Sequence, residues 1–226
     1  MPTGRPTSLL KRRTGALRSS LPLLLLAALS AAAADRPVFK AEPLSPSLLE
    51  KVRRTTWRPG CPVAPADLRQ LTLTYHGFDN APHTGTLVVH RDLAADVIRL
   101  FEKLYDRNFP IERMVPIEDY GGNDDASMLA NNTSAFNCRD TTGKPGVFSN
   151  HSWGRAIDIN PLVNPYVKGD KVLPDAGRKY LDRSKEFPGS ILKDGFVVRL
   201  FESDGWTWGG RWPDRQDYQH FEKPAH

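Results

Sequence analysis

The run Arg155-Ala-Ile-Asp-Ile-Asn160 sets the hardest condition on the fold. It alternates as a strand does, with Ala156, Asp158 and Asn160 on one face and Ile157 and Ile159 on the other. An aspartate in mid-strand between two isoleucines is costly unless something pairs with it, and a metal ion would do so. His151 stands seven residues before Asp158, and Asp217-Tyr-Gln-His220-Phe-Glu222 supplies a second histidine with a carboxylate three residues ahead of it. Two histidines and one aspartate make a three-ligand zinc set that leaves one position open for water. A fourth carboxylate nearby would then take that water's proton. A closed structural site is more often built from cysteines, and the two in this chain, Cys61 and Cys138, stand at none of the usual zinc spacings. Extended backbone near the C-terminus would place Tyr218, His220 and Glu222 on one face, with Asp217 near the metal only if the chain turns there. Glu222 is the rival to Asp217 as base, or else the acceptor for the ligand histidine's other N–H.

The pattern Ser149-x-His151-x-x-Gly154-x-Ala156-x-Asp158, followed by Asp217-x-x-His220, resembles the zinc D-alanyl-D-alanine carboxypeptidase and dipeptidase superfamily. That superfamily includes phage L-alanyl-D-glutamate endopeptidases and shares its fold with the hedgehog signalling domain. Asn132-Thr-Ser-Ala-Phe-Asn-Cys-Arg139, Asn160-Pro-Leu-Val-Asn-Pro-Tyr166 and Gly205-Trp-Thr-Trp-Gly-Gly210 are similar to a bacterial branch of it, so the resemblance runs from about Trp57 to Phe221. It implies an α+β fold, an antiparallel sheet with helices on one face. It also implies one zinc per chain on His151, Asp158 and His220, with Asp217 as general base. Arg139 resembles the arginine that steadies a substrate carbonyl oxygen or carboxylate, a task suited to its fixed, charged fork. Ser149 resembles a substrate-contacting serine. The implied reaction is hydrolysis of a peptide bond in peptidoglycan stem peptides, next to D-alanine. An L-alanyl-D-glutamate-type endopeptidase and a non-catalytic wall- or peptide-binding module on the same fold are the alternatives. Trp208, beside Gly209-Gly210, is the tryptophan expected to reach the cleft, although alternate tryptophans in a Gly-rich strand usually fill a core.

Residues 1–34 read as a secretory signal peptide. Arg5, Lys11, Arg12, Arg13 and Arg18 precede an apolar run from Leu21 to Leu29, and Ala31 to Ala34 offer a cleavage site before Asp35. The apolar run is short for a bilayer span, so no stable membrane span is expected after cleavage. The segment holds five of the 31 Lys and Arg residues and none of the 26 Asp and Glu residues, so the mature chain carries no net charge. No basic block asks for nucleic acid. Export implies a periplasmic or extracellular protein, expected as a monomer. In that compartment Cys61 and Cys138 are a candidate disulfide that would tie the N-terminal arm to the segment carrying Arg139. Two separately buried thiols are the alternative.

Residues 35–56 hold Pro37, Pro43 and Pro46 and read as an extended lead-in with a short helix over 47–54, capped by Ser45 or Ser47. The catalytic domain is expected over 57–226. Strands are expected over 71–75 and 84–90, where β-branched residues gather. The clearest helix spans 91–108, with Leu93, Val97, Leu100, Phe101, Leu104 and Tyr105 on one stripe. A strand broken by Pro116 is expected over 109–117, a loop over 119–132, and a second amphipathic helix over 192–202 ended by Gly205. His76, His83 and His90 share no simple element, which favours hydrogen bonding over a second metal site.

Overall fold

Nineteen prolines and seventeen glycines punctuate this chain, and most of its strands are short. The computed structural model describes Met1, Gly4 and residues 36–224; the expected signal segment otherwise lies outside the described residues. The first strand, β1 (Phe39–Pro43), leads into α1 (Pro46–Thr55), whose first turn is capped by the Ser45 hydroxyl accepting from the Leu48 N–H at 3.4 Å. The hairpin β2 (Leu68–His76) and β3 (Pro82–His90) follows, and β1 joins its edge in the order β1-β2-β3, antiparallel throughout. Residues 39–55 are therefore more than a lead-in. Strand β1 pairs from Phe39↔Leu73 to Pro43↔Arg69, and α1 buries Leu48 and Val52 with Val88, Phe136 and Cys138.

A 3-10 turn over Arg91–Leu93 precedes α2 (Ala94–Asp106), which buries Val97, Leu100, Phe101 and Leu104. The strand expected over 109–117 is absent. Pro110 and Pro116 carry no N–H, and side-chain amides claim the backbone between them. Asn160 Oδ1 accepts from the Glu112 N–H at 3.0 Å, and Asn132 Oδ1 accepts from the Val115 N–H at 2.9 Å. Residues 119–132, expected as a loop, contain α3 (Asp124–Leu129). Asn123 caps it by accepting from the Ala126 N–H at 2.9 Å, and Asp124 and Asp125 suit the positive end of its dipole.

The remaining elements are brief. Strands β4 (Asp140–Thr141) and β5 (Lys144–Phe148) form a hairpin; β6 (Ala156–Asp158), β7 (Tyr166–Lys168) and β8 (Lys171–Leu173) follow. Helix α4 (Phe196–Ser203) starts later than expected, after Gly195. Strands β9 (Thr207–Trp208), β10 (Gln216–Asp217) and β11 (His220–Glu222) complete the chain. Instead of one sheet, the described residues form three small ones, ordered β1-β2-β3, β10-β7-β8 and β6-β11-β9, plus the β4-β5 hairpin. The architecture is α+β, as the resemblance implies. One core joins Leu71 and Val89 of the first sheet, Phe101 of α2, Phe201 of α4, and Ile157 and Phe221 of the third sheet. Phe201 stacks on Phe221 with ring centroids 4.2 Å apart, which fixes β11 on α4.

Among the described residues no helix is long and apolar enough to cross a membrane. Cys61 and Cys138 are disulfide-bonded across a sequence separation of 77. Closing a loop of that length stabilises the fold by about 4 kcal/mol in the chain-entropy account. Cys61→Ser should therefore lower the unfolding free energy by about 2–5 kcal/mol, read as a lower urea midpoint. An unchanged midpoint would show that the bond contributes nothing.

Candidate metal centre

Antiparallel pairing of β6 with β11 sets Asp158 directly opposite His220. His151 arrives from a 3-10 turn over Asn150–Trp153, opened by the Ser149 hydroxyl accepting from the His151 N–H at 3.3 Å and closed by Gly154 in the left-handed region. A Cβ on Gly154 would lie 2.7 Å from the His90 N, so only glycine lets this turn dock on the end of β3. His151 Nε2 lies 3.2 Å from both His220 Nδ1 and Asp158 Oδ2, and His220 Nδ1 lies 2.9 Å from Asp158 Oδ1. All three residues are buried, and their ligand atoms lie within 4.8 Å of one another.

The other ring nitrogens are engaged. His151 Nδ1 sits 2.6 Å from the Ala135 carbonyl oxygen, and His220 Nε2 sits 2.9 Å from Glu222 Oε2. Each acceptor takes an N–H, so His151 Nε2 and His220 Nδ1 are the nitrogens that face Asp158 and, once deprotonated, present their lone pairs there. Glu222 also accepts from Asn150 Nδ2 at 2.8 Å, so its place is behind His220. Two imidazoles with fixed tautomers and one carboxylate fit zinc with an open position. The other described histidines are used elsewhere: His76 stacks on Tyr105 at 4.4 Å, His83 Nε2 lies 2.9 Å from Asp79, and His90 Nδ1 accepts from the Asp92 N–H at 3.2 Å.

These ligands line a cleft of about 290 Å³ together with Arg139, Ser149 and Asp217. The chain does turn at Tyr218-Gln219, between β10 and β11, and this brings Asp217 to the cluster. Gly209 permits it, since a Cβ there would stand 2.8 Å from both the Cβ and the carbonyl oxygen of Asp217. Arg139 donates its backbone N–H to Ser152 Oγ at 2.8 Å, and its Nη2 pairs with Asp124 Oδ2 at 3.0 Å.

Trp208 does not reach the cleft. It stands opposite Phe221 in the β9–β11 pairing, only 1% exposed, with Nε1 donating to the Tyr218 carbonyl at 2.9 Å. Trp212 lines the cleft instead, its ring 5.2 Å from that of His220. Asp124, Asn150 and Arg215 are further cleft residues that the motifs did not mark.

Residues 142–223 match the family described as D-alanyl-D-alanine carboxypeptidase. The match supports the resemblance of this segment to the zinc D-alanyl-D-alanine carboxypeptidase superfamily. The matched segment contains His151, Asp158, Asp217 and His220 and begins just after Arg139. No curated protein and no solved structure matches the chain. The match supports a zinc peptidase acting on peptidoglycan peptides.

The electrostatics suit such a peptidase. Burial pushes the Asp158 carboxyl up, but His151 and His220 beside it hold it well below the usual carboxylate range. Burial lowers His220, yet its hydrogen bonds to Asp158 and Glu222 prevail and raise it to about 10. Glu222, facing the His220 N–H, lies below its ordinary value despite the opposing effect of burial. Asp217 differs from both carboxylates. Its Oδ1 is buried without a hydrogen-bond partner among the described residues, and burial lifts its carboxyl to about 6 against the pull of His220. That leaves a buried oxygen of Asp217 free to accept a proton.

Two outcomes follow for the metal. A proton on His220 must leave before a cation binds, so zinc affinity should rise with pH toward 10. Calorimetric titration of the metal-free protein at pH 7, in buffers of different ionisation enthalpy, should report about one proton released per zinc. Heats independent of the buffer would contradict this. Glu222→Gln should weaken zinc binding about 10- to 100-fold in a chelator competition. Wild-type affinity in that variant would remove Glu222 from the ligand's support.

Proposed function

We propose that this protein is a zinc-dependent D-alanyl-D-alanine carboxypeptidase of the bacterial cell envelope, exported to the periplasm or beyond, monomeric, and of the DD-peptidase/hedgehog type of fold. The observation that carries the reading is the pairing of two features in one cleft: a set of two histidines and one aspartate suited to zinc, and a separate carboxylate, Asp217, whose buried Oδ1 has no hydrogen-bond partner among the described residues. A non-catalytic binding module has no use for a buried, unpaired carboxylate, which costs stability wherever it serves no purpose.

Zinc, when held by His151, Asp158 and His220, would supply Lewis acidity and make water acidic enough to lose a proton near neutrality. The chain supplies the rest. Asp217 Oδ1 accepts the water proton and returns it to the leaving amine. Arg139, at the cleft wall, holds the substrate carbonyl oxygen or carboxylate by exchanging its contact with Asp124 for one with substrate. Ser149 stands beside it as a substrate contact, and Glu222 keeps the His220 lone pair turned toward Asp158. The disulfide and the family match suit an exported protein.

The test is a mass-spectrometric digest of a pentapeptide-stem muropeptide by zinc-loaded protein lacking residues 1–34. Release of terminal D-alanine is expected; a cut elsewhere would point to an endopeptidase, and no cut with zinc bound would favour the binding module. Asp217→Asn should retain zinc and lose about 10²- to 10⁴-fold in rate, whereas His151→Ala should lose both metal and activity. Full activity in Asp217→Asn would contradict its role as base.

A further inference from the structure

The cleft contains a second guanidinium that the proposed chemistry does not use. Arg215 lines it from the stretch between Trp212 and β10. The guanidinium lies 4.2 Å over the Trp212 ring, which itself stands 5.2 Å from His220. Its Nη1 reaches both oxygens of Asp214 at 2.8 Å, while Nε and Nη2 have no hydrogen-bond partner among the described residues. The Arg215 side chain is 20% exposed and that of Asp214 54%, so the fork is held against the wall and its counter-charge lies toward solvent. An arginine pinned on an aromatic face with two donors unspent is pre-organised for a carboxylate.

Arg139 comes to the cleft from a different element. Its backbone bonds to Ser149 and Ser152 place it with the turn that carries His151, whereas Arg215 belongs with Trp212 and His220. The two cations thus enter one cleft from two separate elements. We infer that Arg215 reads a second carboxylate on the substrate, across the scissile bond from the group held by Arg139, and so selects acidic peptides. The inference rests on the peptidase reading above.

Two synthetic peptides ending in D-alanyl-D-alanine test it. They differ only in the preceding residue, L-lysine in one and meso-diaminopimelate, with its additional carboxylate, in the other. Wild type should prefer the diaminopimelate peptide in kcat/KM, and Arg215→Gln should reduce that ratio about tenfold, through KM. Zinc content of the variant checks its fold. An equal ratio in the two proteins overturns the inference. If zinc-loaded wild type cuts neither peptide, the peptidase reading fails by itself. Tryptophan-fluorescence titration with the same two peptides then decides the role of Arg215: a wild-type binding preference that Arg215→Gln reduces about tenfold supports it, and equal ratios overturn it.

Discussion

A buried carboxylate facing two imidazoles governs this structure. Asp158 lies in a strand whose neighbours Ile157 and Ile159 are fully buried. An uncompensated charge in such a place costs several kcal/mol. The pairing of β6 with β11 answers it by setting His220 opposite Asp158. A slip of one residue would bring Phe221 opposite the carboxylate and turn His220 into the core that Phe221 now shares with Phe201. Core packing and the gathering of His151, Asp158 and His220 therefore require the same register. His151 depends on that register too, because its Nε2 meets both His220 and Asp158.

Around this pairing the fold supplies rigid neighbours. The disulfide anchors Cys138 one residue ahead of Arg139, and Ser152 receives the Arg139 N–H from the turn that presents His151. The turn bearing Asp217 is held by Trp208 Nε1 on the Tyr218 carbonyl and by the Arg183 guanidinium 4.6 Å over the Tyr218 ring. Arg183 in turn donates to Asn164 Oδ1 at 2.9 Å and to the Ile191 carbonyl at 2.8 Å. Buried asparagines thus take over the hydrogen-bonding work that longer strands would otherwise do. This is how small sheets suffice to position a site.

The gathering of His151, Asp158 and His220 was legible in the sequence because a mid-strand aspartate needs partners and the motif resemblance pointed to these two histidines. Asp217 was legible only conditionally, since its place depends on the Tyr218-Gln219 turn and on Gly209 yielding space to it. Trp208 misses the cleft for a tertiary reason: the pairing with Phe221 sends it into the core, and no local spacing reveals that pairing. The missing strand over 109–117 has a similar cause, because Asn132 and Asn160 reach its backbone from distant segments. The α3 helix had a local signal in Asn123 ahead of Asp124 and Asp125, which the surrounding Gly-rich stretch masked. The strand character of 39–43 became visible only with its partner β2.

Each of the two histidines divides its labour between its ring nitrogens, one turned to a supporting acceptor and the other toward Asp158. Anomalous diffraction at the zinc edge, from crystals grown with zinc, tests it directly. The expected result is one zinc bonded to His151 Nε2, His220 Nδ1 and an Asp158 oxygen at about 2.0–2.2 Å, with Glu222 still on the His220 Nε2 side. Zinc on His220 Nε2, or zinc bound elsewhere with this cluster left bare, would contradict the account.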